Sequence, residues 1–506
     1  MVSPEILALI MLGIFMFLIM VGYPVAFTFA GTATVFFAIG WAQGDLQLIQ
    51  MNALFSQWFS NAMANLTFLA IPFFVFMGAV FEKSGLAERL LTTIGMVLGP
   101  LRGGMGVAVV IVGTVLAAAT GVVAATVIVM GVLSLPVMVK YRYDHELAAG
   151  VIVASGTLAQ LMPPSLVLIV LAQFIPISVG QLFAGALIPG IILATLFGCY
   201  VVLVAYAKPG SAPAIPVSER TASGPELARQ FALAVIPPLG LIFAVLGSIF
   251  QGWATATEAG SVGALGAVLL AALYGRLDRK VLWGAARSTS NITSLVLQIL
   301  LASTFFAFVF QRLGGQDLIT EWLQAVPGGL WGFIIAAHII VFILGINLEF
   351  LEISFIVMPL FIPAAIALDV NLVWFAVLMA VNLNMAFISP PVGFSLFYLQ
   401  SVAPPEVKTS EIHRGAIPFM AVQCIGLAVL TVLPESVVWL VRLSDLGNEQ
   451  TNNVDFIPGS FGLRLTICVV GVAAAGLAWG LFLRARHGKG GGDKEEGAVA
   501  AEAALA

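Results

Sequence analysis

The sequence predicts an all-α polytopic membrane protein made of two related halves. Only 21 basic and 25 acidic residues occur in 506, or 9% charged, where soluble domains carry about 25%; mean hydropathy is +1.08. Residues 6–44, 46–81, 103–139, 147–207, 230–257 and 370–405 contain no Asp, Glu, Lys or Arg, and about 20 apolar residues cross a bilayer core as a helix. Motifs of the first half recur in the second at nearly constant spacing. A soluble enzyme, a disordered chain and a nucleic-acid binder are excluded, because a water-exposed surface needs more charge. An outer-membrane barrel would alternate apolar and polar residues in pieces of about ten.

The first apolar run has no basic leader and no small-residue cleavage site before a second run begins, so it reads as a membrane element, ended at Gly22-Tyr23-Pro24. Further elements fall at 24–41, 65–81, 86–100, 105–139, 146–175, 178–206, 229–250, 257–275, 288–311, 329–346, 350–367, 372–401, 412–434 and 461–483, with a more polar interfacial stretch at 46–60. This set closes into a topology only if some elements are re-entrant. Trp41, Trp58, Trp253, Trp283, Trp322, Trp331 and Trp374 lie near the ends of apolar runs, as an interfacial belt requires. Arg276, Arg279, Lys280 and Arg287 face one acid, Asp278, and Arg484, Arg486 and Lys489 follow the last run, so both segments are expected in the cytoplasm. The organisation expected is a first repeat over 1–206, a Pro/Ser/Gly-rich linker over 207–228 and a second repeat over 229–434. A polar loop with an extra span follows over 435–483, then a cytoplasmic disordered tail over 484–506.

The repeat rests on ordered matches. Phe81 corresponds to Phe310 at an offset of 229, Ile128-Val129-Met130 to Ile356-Val357-Met358 at 228, Pro136 to Pro363 at 227, and Pro163-Pro164 to Pro390-Pro391 at 227. Repeated halves with interrupted helices characterise secondary transporters, whose sites lie near the midplane. In hydrocarbon every N–H and C=O must be paired, so a broken helix survives only against protein or a wet cavity. A diproline removes two successive donors and disfavours helix before it. The freed carbonyls suit a small cation, and nearby helix N-termini suit an anion.

Intramembrane polar groups are expensive and therefore functional candidates. In the first half these are Thr120, Gly121 and Thr126, then Ser155, Thr157 and Gln160 ahead of Pro163-Pro164, and Ser165 after it. In the second they are Asn347, Glu349 and Glu352, then Asn382, Asn384 and Ser389 leading to Pro390, Pro391 and Gly393. Packing between small residues is the competing reading for the hydroxyls and glycines. Glu349 and Glu352, three apart and so on one helix face, either supply charge for Na⁺ or a proton, pair with a helix N-terminus, or sit wet at the interface. Asn382 and Ser389, two turns apart, should face one side. Glu258 reads first as a capping acid. Cys199, Cys424 and Cys468 form no CxxC pair, the four histidines share no helical spacing, and neither a catalytic constellation nor a GxxxxGK[ST] loop occurs. No enzymatic activity is expected, and transport would draw on a gradient or a separate ATPase.

The segments GTLAQLMPPSLVLIVLA (156–172), ATGVVAATVIVMG (119–131), ATATEAGSVGALGA (254–267) and FISPPVGFSLFYL (387–399) together resemble the large membrane subunit, DctM type, of tripartite ATP-independent periplasmic (TRAP) transporters. GYPVAFTFAG (22–31) and LFAGALIPGIILA (182–194) add to the likeness, which runs from about residue 4 to 434. Val122-Val123 stand where the family often has serines, and Glu349 where an Asp is common. The resemblance implies inverted repeats and an elevator-type transporter of the bacterial inner membrane. It also implies Na⁺ as coupling ion, held by backbone and hydroxyl groups near the breaks, with no other cofactor. An organic-acid anion (a 2-oxo acid, lactate or similar carboxylate) would be delivered by a periplasmic substrate-binding protein, and a small membrane subunit (DctQ type) would complete the assembly. A binding-protein-independent antiporter of ions and organic anions is the alternative.

Overall fold

A computed structural model describes residues 2–216, 224–444, 446, 447 and 460–479, so the expected tail and most of the polar loop lie outside the described residues. Those residues form helices and no strand. In order, they are α1 (Pro4–Met20), α2 (Val25–Gln43), α3 (Met51–Trp58), α4 (Ala70–Lys83), α5 (Leu86–Leu98), α6 (Gly104–Thr120) and α7 (Val123–Lys140). Then come α8 (His145–Thr157), α9 (Leu166–Leu171), α10 (Val179–Ala207), α11 (Gly224–Phe250), α12 (Ala256–Leu273), α13 (Arg279–Arg312) and α14 (Gly315–Gln324). The last are α15 (Gly329–Gly345), α16 (Phe350–Ala367), α17 (Leu372–Ala386), α18 (Phe394–Gln400), α19 (Thr409–Val432), α20 (Glu435–Leu443) and α21 (Phe461–Trp479).

Local sequence starts many of these helices. Pro4 occupies the first turn of α1 behind Ser3. Ser178 and Gln181 form a capping box on α10 (2.8 and 3.1 Å), and Thr255 and Glu258 form another on α12 (2.8 and 3.3 Å), so Glu258 is a cap. Asp278 caps α13 through Val281 N–H at 2.6 Å, which starts that helix nine residues before the expected 288. Glycine or another residue at positive φ marks the same joints in both halves: Gly85 and Gly314, Gly103 and Gly328, Arg142 and Asp369.

The halves are inverted. Asp144, at the start of α8, donates its N–H to Ser211 O beyond the end of α10 (2.9 Å). With 29 residues, α10 runs about 43 Å at ~1.5 Å per residue, so it begins on the opposite face. There Gly185 packs against Val373 at the start of α17, whereas Gly415 at the start of α19 abuts the Glu146 backbone at the start of α8. His145 Nδ1 meets Glu411 Oε2 there at 3.2 Å. Thus α8 and its mate α17 begin on opposite faces, as do α10 and its mate α19.

Basic residues orient the molecule. Lys140, Arg142, Lys208, Lys408 and Arg414 lie on the α8 face. Ile215 N–H bonds Gly99 O (2.9 Å), Arg89 covers the Tyr274 ring at 5.1 Å, and Gly284 packs on the Lys83 side chain, which adds Lys83, Arg89, Arg276, Arg279, Lys280 and Arg287. Arg312, Arg442 and Arg464 lie opposite, so the more basic α8 face is cytoplasmic.

Two expected elements are corrected. The stretch 105–139 is not one span but a re-entrant hairpin. Thr120 ends α6, Gly121 turns at φ +60°, extended Val122 follows, and α7 returns. The hairpin's open ends meet where Met105 N–H donates to Tyr143 Oη at 3.3 Å; burial pushes that phenol up to about 12, so it stays neutral. Mean hydropathy cannot register one left-handed residue inside 35 or so apolar ones, which is why sequence reading merged the two helices. In the second half α15 and α16 form the matching hairpin from the other face, its open ends joined by the Phe333 and Phe361 rings (centroids 6.1 Å) and its tip at Ile346–Glu349. The stretch 86–100 is also no span: α5 is a 13-residue amphipathic helix with Leu86, Leu90, Leu91 and Ile94 inward.

Lys140 and Ala367 are repeat mates, 227 apart and both exposed at hairpin ends. In a chain whose three cysteines are replaced by serine, Ala367→Cys reacts with a membrane-impermeant maleimide in intact cells, and Lys140→Cys reacts only after permeabilisation. Labelling of both from one side contradicts the inversion.

Candidate functional site

Each hairpin tip meets a broken helix. From the cytoplasmic face α8 runs 13 residues, about 20 Å, and from the other face α17 runs 15, about 22 Å. Both stop roughly midway through a bilayer ~40–45 Å thick overall. Beyond each lies a diproline, Pro163-Pro164 or Pro390-Pro391, both bonds cis, and then a short helix, α9 or α18.

The breaks are closed by the same chemistry. Pro164 cannot donate to Gln160 O, four residues back, and Ser165 Oγ donates there instead at 2.6 Å. Pro391 cannot donate to Phe387 O, and Ser395 Oγ fills that position, also at 2.6 Å. An unmade pairing of this kind in a buried place costs about 1–3 kcal/mol. Ser165 Oγ also accepts from Val167 N–H (3.2 Å), starting α9. Ser389 Oγ donates to Ala386 O (2.7 Å), and Gly393 N–H returns to Ser389 O (2.8 Å). A Cβ on Gly393 would sit 2.7 Å from Phe387 O.

At the first tip, Gly121 lies so close to the break that a Cβ would stand 2.9 Å from Pro164 O and 3.2 Å from Leu166 N. Thr120 and Thr126 hydroxyls bond across the tip at 2.9 Å, and Thr126 Oγ1 lies 3.0 Å from Val122 O. On α4, Gly78 admits the tip: a Cβ there would be 2.9 Å from the Ala119 and Thr120 carbonyl oxygens. At the second tip, Gly345 packs on Ala386 and the Phe350 and Phe387 rings lie 6.4 Å apart. Tyr398 Oη on α18 donates to Glu349 Oε1 at 2.8 Å.

The polar residues at the helix ends are mates. Thr157 and Asn384 are 227 apart, as are Ser155 and Asn382. Thr157 Oγ1 is spent on Ala154 O (2.8 Å) and Asn382 Nδ2 on His338 O (2.8 Å). Gln160 and Asn384 differ: both are 0% exposed, and neither amide oxygen nor nitrogen of either has a hydrogen-bond partner among the described residues. Segment 158–160 packs on α17, α9 on α16, and α18 on α7 and α8, so the two breaks form one central region.

Several expectations change in detail. Helix α17 ends at Ala386, so Asn382 and Ser389 do not share a helical face. Glu349 precedes α16 and Glu352 lies in its first turn, with Glu352 Oε2 accepting the Glu349 N–H at 2.9 Å; one acid serves a helix N-terminus and the other a tyrosine. Asn347 is exposed at the tip. Pro163 and Pro164 are buried, whereas Pro391 is exposed. Tyr398 and Ser395 were not singled out from sequence. Counting four residues back from Pro391 identifies Phe387 O as the carbonyl that loses its donor but not Ser395, eight residues further on, as its partner, and the Tyr398–Glu349 pair, 49 residues apart, has no local signal either.

Inverted halves, paired re-entrant hairpins and paired helix breaks at mid-depth define a secondary transporter. The family model for the tripartite ATP-independent periplasmic transporter, DctM component, matches residues 12–436, and the chain belongs to that family. It is 30% identical over 374 residues to the C4-dicarboxylate TRAP transporter large permease protein DctM of Pseudomonas aeruginosa (strain PAO1), covering 73% of this chain and 84% of that one. To the sialic acid TRAP transporter permease protein SiaT of Haemophilus influenzae (strain 86-028NP) it is 25% identical, over 74% of this chain and 60% of that one. Its fold is similar to that of the Alcanivorax borkumensis YdaH transporter, with a TM-score of 0.57 at 13% identity over 80% of this chain and 91% of that chain. The protein is therefore a multi-pass permease of the bacterial inner membrane and not an enzyme.

Ser395→Ala removes the shorter of two hydrogen bonds to Phe387 O, leaving only the Ser395 N–H at 3.3 Å, and lowers unfolding stability by about 1 kcal/mol, while Ser395→Thr retains most of it; denaturant titration in detergent measures both. Equal stability of the alanine and threonine variants would show that the hydroxyl closes nothing.

Proposed function

We propose that the chain is the large permease subunit of a TRAP transporter that imports an organic-acid anion by Na⁺ symport. A periplasmic substrate-binding protein delivers the anion, and a separate small membrane subunit completes the complex, as family membership implies. The observation that carries this reading is the buried, partnerless amide pair Gln160 and Asn384, one beside each break. A buried amide left unpaired is costly, and its oxygen is a hard ligand suited to Na⁺. Together with main-chain carbonyls at the breaks and the Thr120 and Thr126 hydroxyls, these oxygens form a donor set with no lysine or arginine. A bound cation then supplies the positive charge that an anion needs, assisted by the N-terminus of α7, which has no side-chain cap. This order makes the coupling: without Na⁺ the site lacks the full positive charge that holds a carboxylate.

Relatives named for C4-dicarboxylate and sialic acid support an organic-acid cargo, and the motif likeness favours a 2-oxo acid, lactate or a similar carboxylate. Movement is of the elevator kind, with both hairpins and both broken helices travelling as one body against the remaining helices; their mutual packing supports a single unit.

In proteoliposomes holding both membrane subunits and the binding protein, uptake follows an inward Na⁺ gradient and stops when the gradient is collapsed. Uptake indifferent to Na⁺, or unaffected by omitting the binding protein, sinks the proposal in favour of an antiporter. Asn384→Ala raises the Na⁺ concentration for half-maximal uptake by about tenfold, the equivalent of ~1.4 kcal/mol, and Pro390→Ala with Pro391→Ala abolishes uptake. Unchanged Na⁺ dependence in Asn384→Ala would remove that amide from the site.

A further inference from the structure

One membrane-crossing helix exposes a polar stripe where lipid would be expected. In α13 the side chains of Ser290, Asn291, Ser294 and Gln298 are exposed, and their spacings of one, three and four residues place them on one side. None of the four has a side-chain hydrogen bond among the described residues. The neighbouring Thr293 Oγ1 is buried and also without a partner. These residues are not at a helix end. With 34 residues α13 is about 51 Å long, longer than the bilayer core; Ser290 and Asn291 lie one turn beyond cytoplasmic Arg287, and Ser294 and Gln298 lie two and three turns beyond it.

Beside the stripe lies a laterally open groove of about 630 Å³ between α4, α12 and α13. Its walls include Phe73 and Phe76 of α4 and Ala264 and Leu265 at the midpoint of the 18-residue α12. The groove therefore sits at mid-depth. Hydrocarbon tails cannot hydrogen-bond, and unpaired polar side chains facing them are unfavourable. A helix that brings its own hydroxyl and amide groups satisfies both the groove and the stripe, since Ser, Thr, Asn and Gln hydrogen-bond across membrane helices and small residues allow close approach.

We infer that the α12–α13 face is the seat of a transmembrane helix of the small membrane subunit, a helix carrying small and hydrogen-bonding residues toward Ser290, Asn291, Ser294 and Gln298. This rests on the multi-subunit reading above. The stripe lies on a helix outside the hairpins and broken helices, so the contact anchors the framework against which they move.

The test co-expresses the full chain with its small membrane subunit and introduces Ser294→p-benzoylphenylalanine. Irradiation is expected to give an adduct with the mass of the two subunits together. In Ser290→Leu/Asn291→Leu/Ser294→Leu, co-purification of the small subunit is expected to fall at least tenfold, while the melting curve of the chain alone is unchanged, because these side chains bond nothing within it. A cross-link formed only from another outward residue, such as Phe17 on α1, overturns the placement and leaves the multi-subunit reading intact. So does an adduct of twice this chain's mass, or full retention of the small subunit by the triple variant. Failure of the wild-type chain to hold any small subunit overturns the multi-subunit reading and this inference with it.

Discussion

Inside hydrocarbon a main-chain carbonyl has no water to fall back on, and the architecture is organised around four prolines that each remove a donor. At Gln160 and Phe387 the missing N–H is replaced by a serine hydroxyl at 2.6 Å, from Ser165 in one half and Ser395 in the other. The chain thus keeps two interruptions that plain kinks would not need. Each is roofed by the tip of a hairpin whose close approach depends on Gly121 or Gly345. Repair at two carbonyls, alongside partnerless amides at Gln160 and Asn384, separates the part of each break that holds the fold from the part left for a ligand.

Inversion turns two half-sites into one. Because α8 enters from the cytoplasmic face and α17 from the other, their ends converge near the middle of the bilayer instead of lying on the same side. Charge placement agrees with this. Basic residues crowd the cytoplasmic loops, and the acids beside the breaks among the described residues, Glu349 and Glu352, are engaged by Tyr398 and by a helix N-terminus. The working interior is left nearly free of fixed charge, so ion and anion can supply each other's compensation.

The class of protein was legible from composition, and the repeat from the spacing of Pro136, Pro163-Pro164, Pro363 and Pro390-Pro391. The candidate regions were legible too, because prolines and polar residues in charge-free runs announce their cost. What stayed hidden depends on contacts across the chain. The α6–α7 hairpin reads as one long apolar run unless the left-handed turn at Gly121 is known. Thr157 and Asn384 look equivalent by offset, yet one hydroxyl is consumed by its own helix while the amide is free. Glu349 shows its proximity to Glu352 in sequence but not its bond to Tyr398.

The central claim is that the two breaks with their hairpin tips act as one Na⁺-responsive unit. Hydrogen–deuterium exchange of the lipid-embedded protein tests it directly, comparing equal concentrations of Na⁺ and K⁺. The account predicts that Na⁺ alone slows exchange together in residues 119–123, 158–168, 345–351 and 386–396, with the framework helices α12 and α13 unchanged. Protection confined to one half, or identical exchange in the two salts, would contradict it.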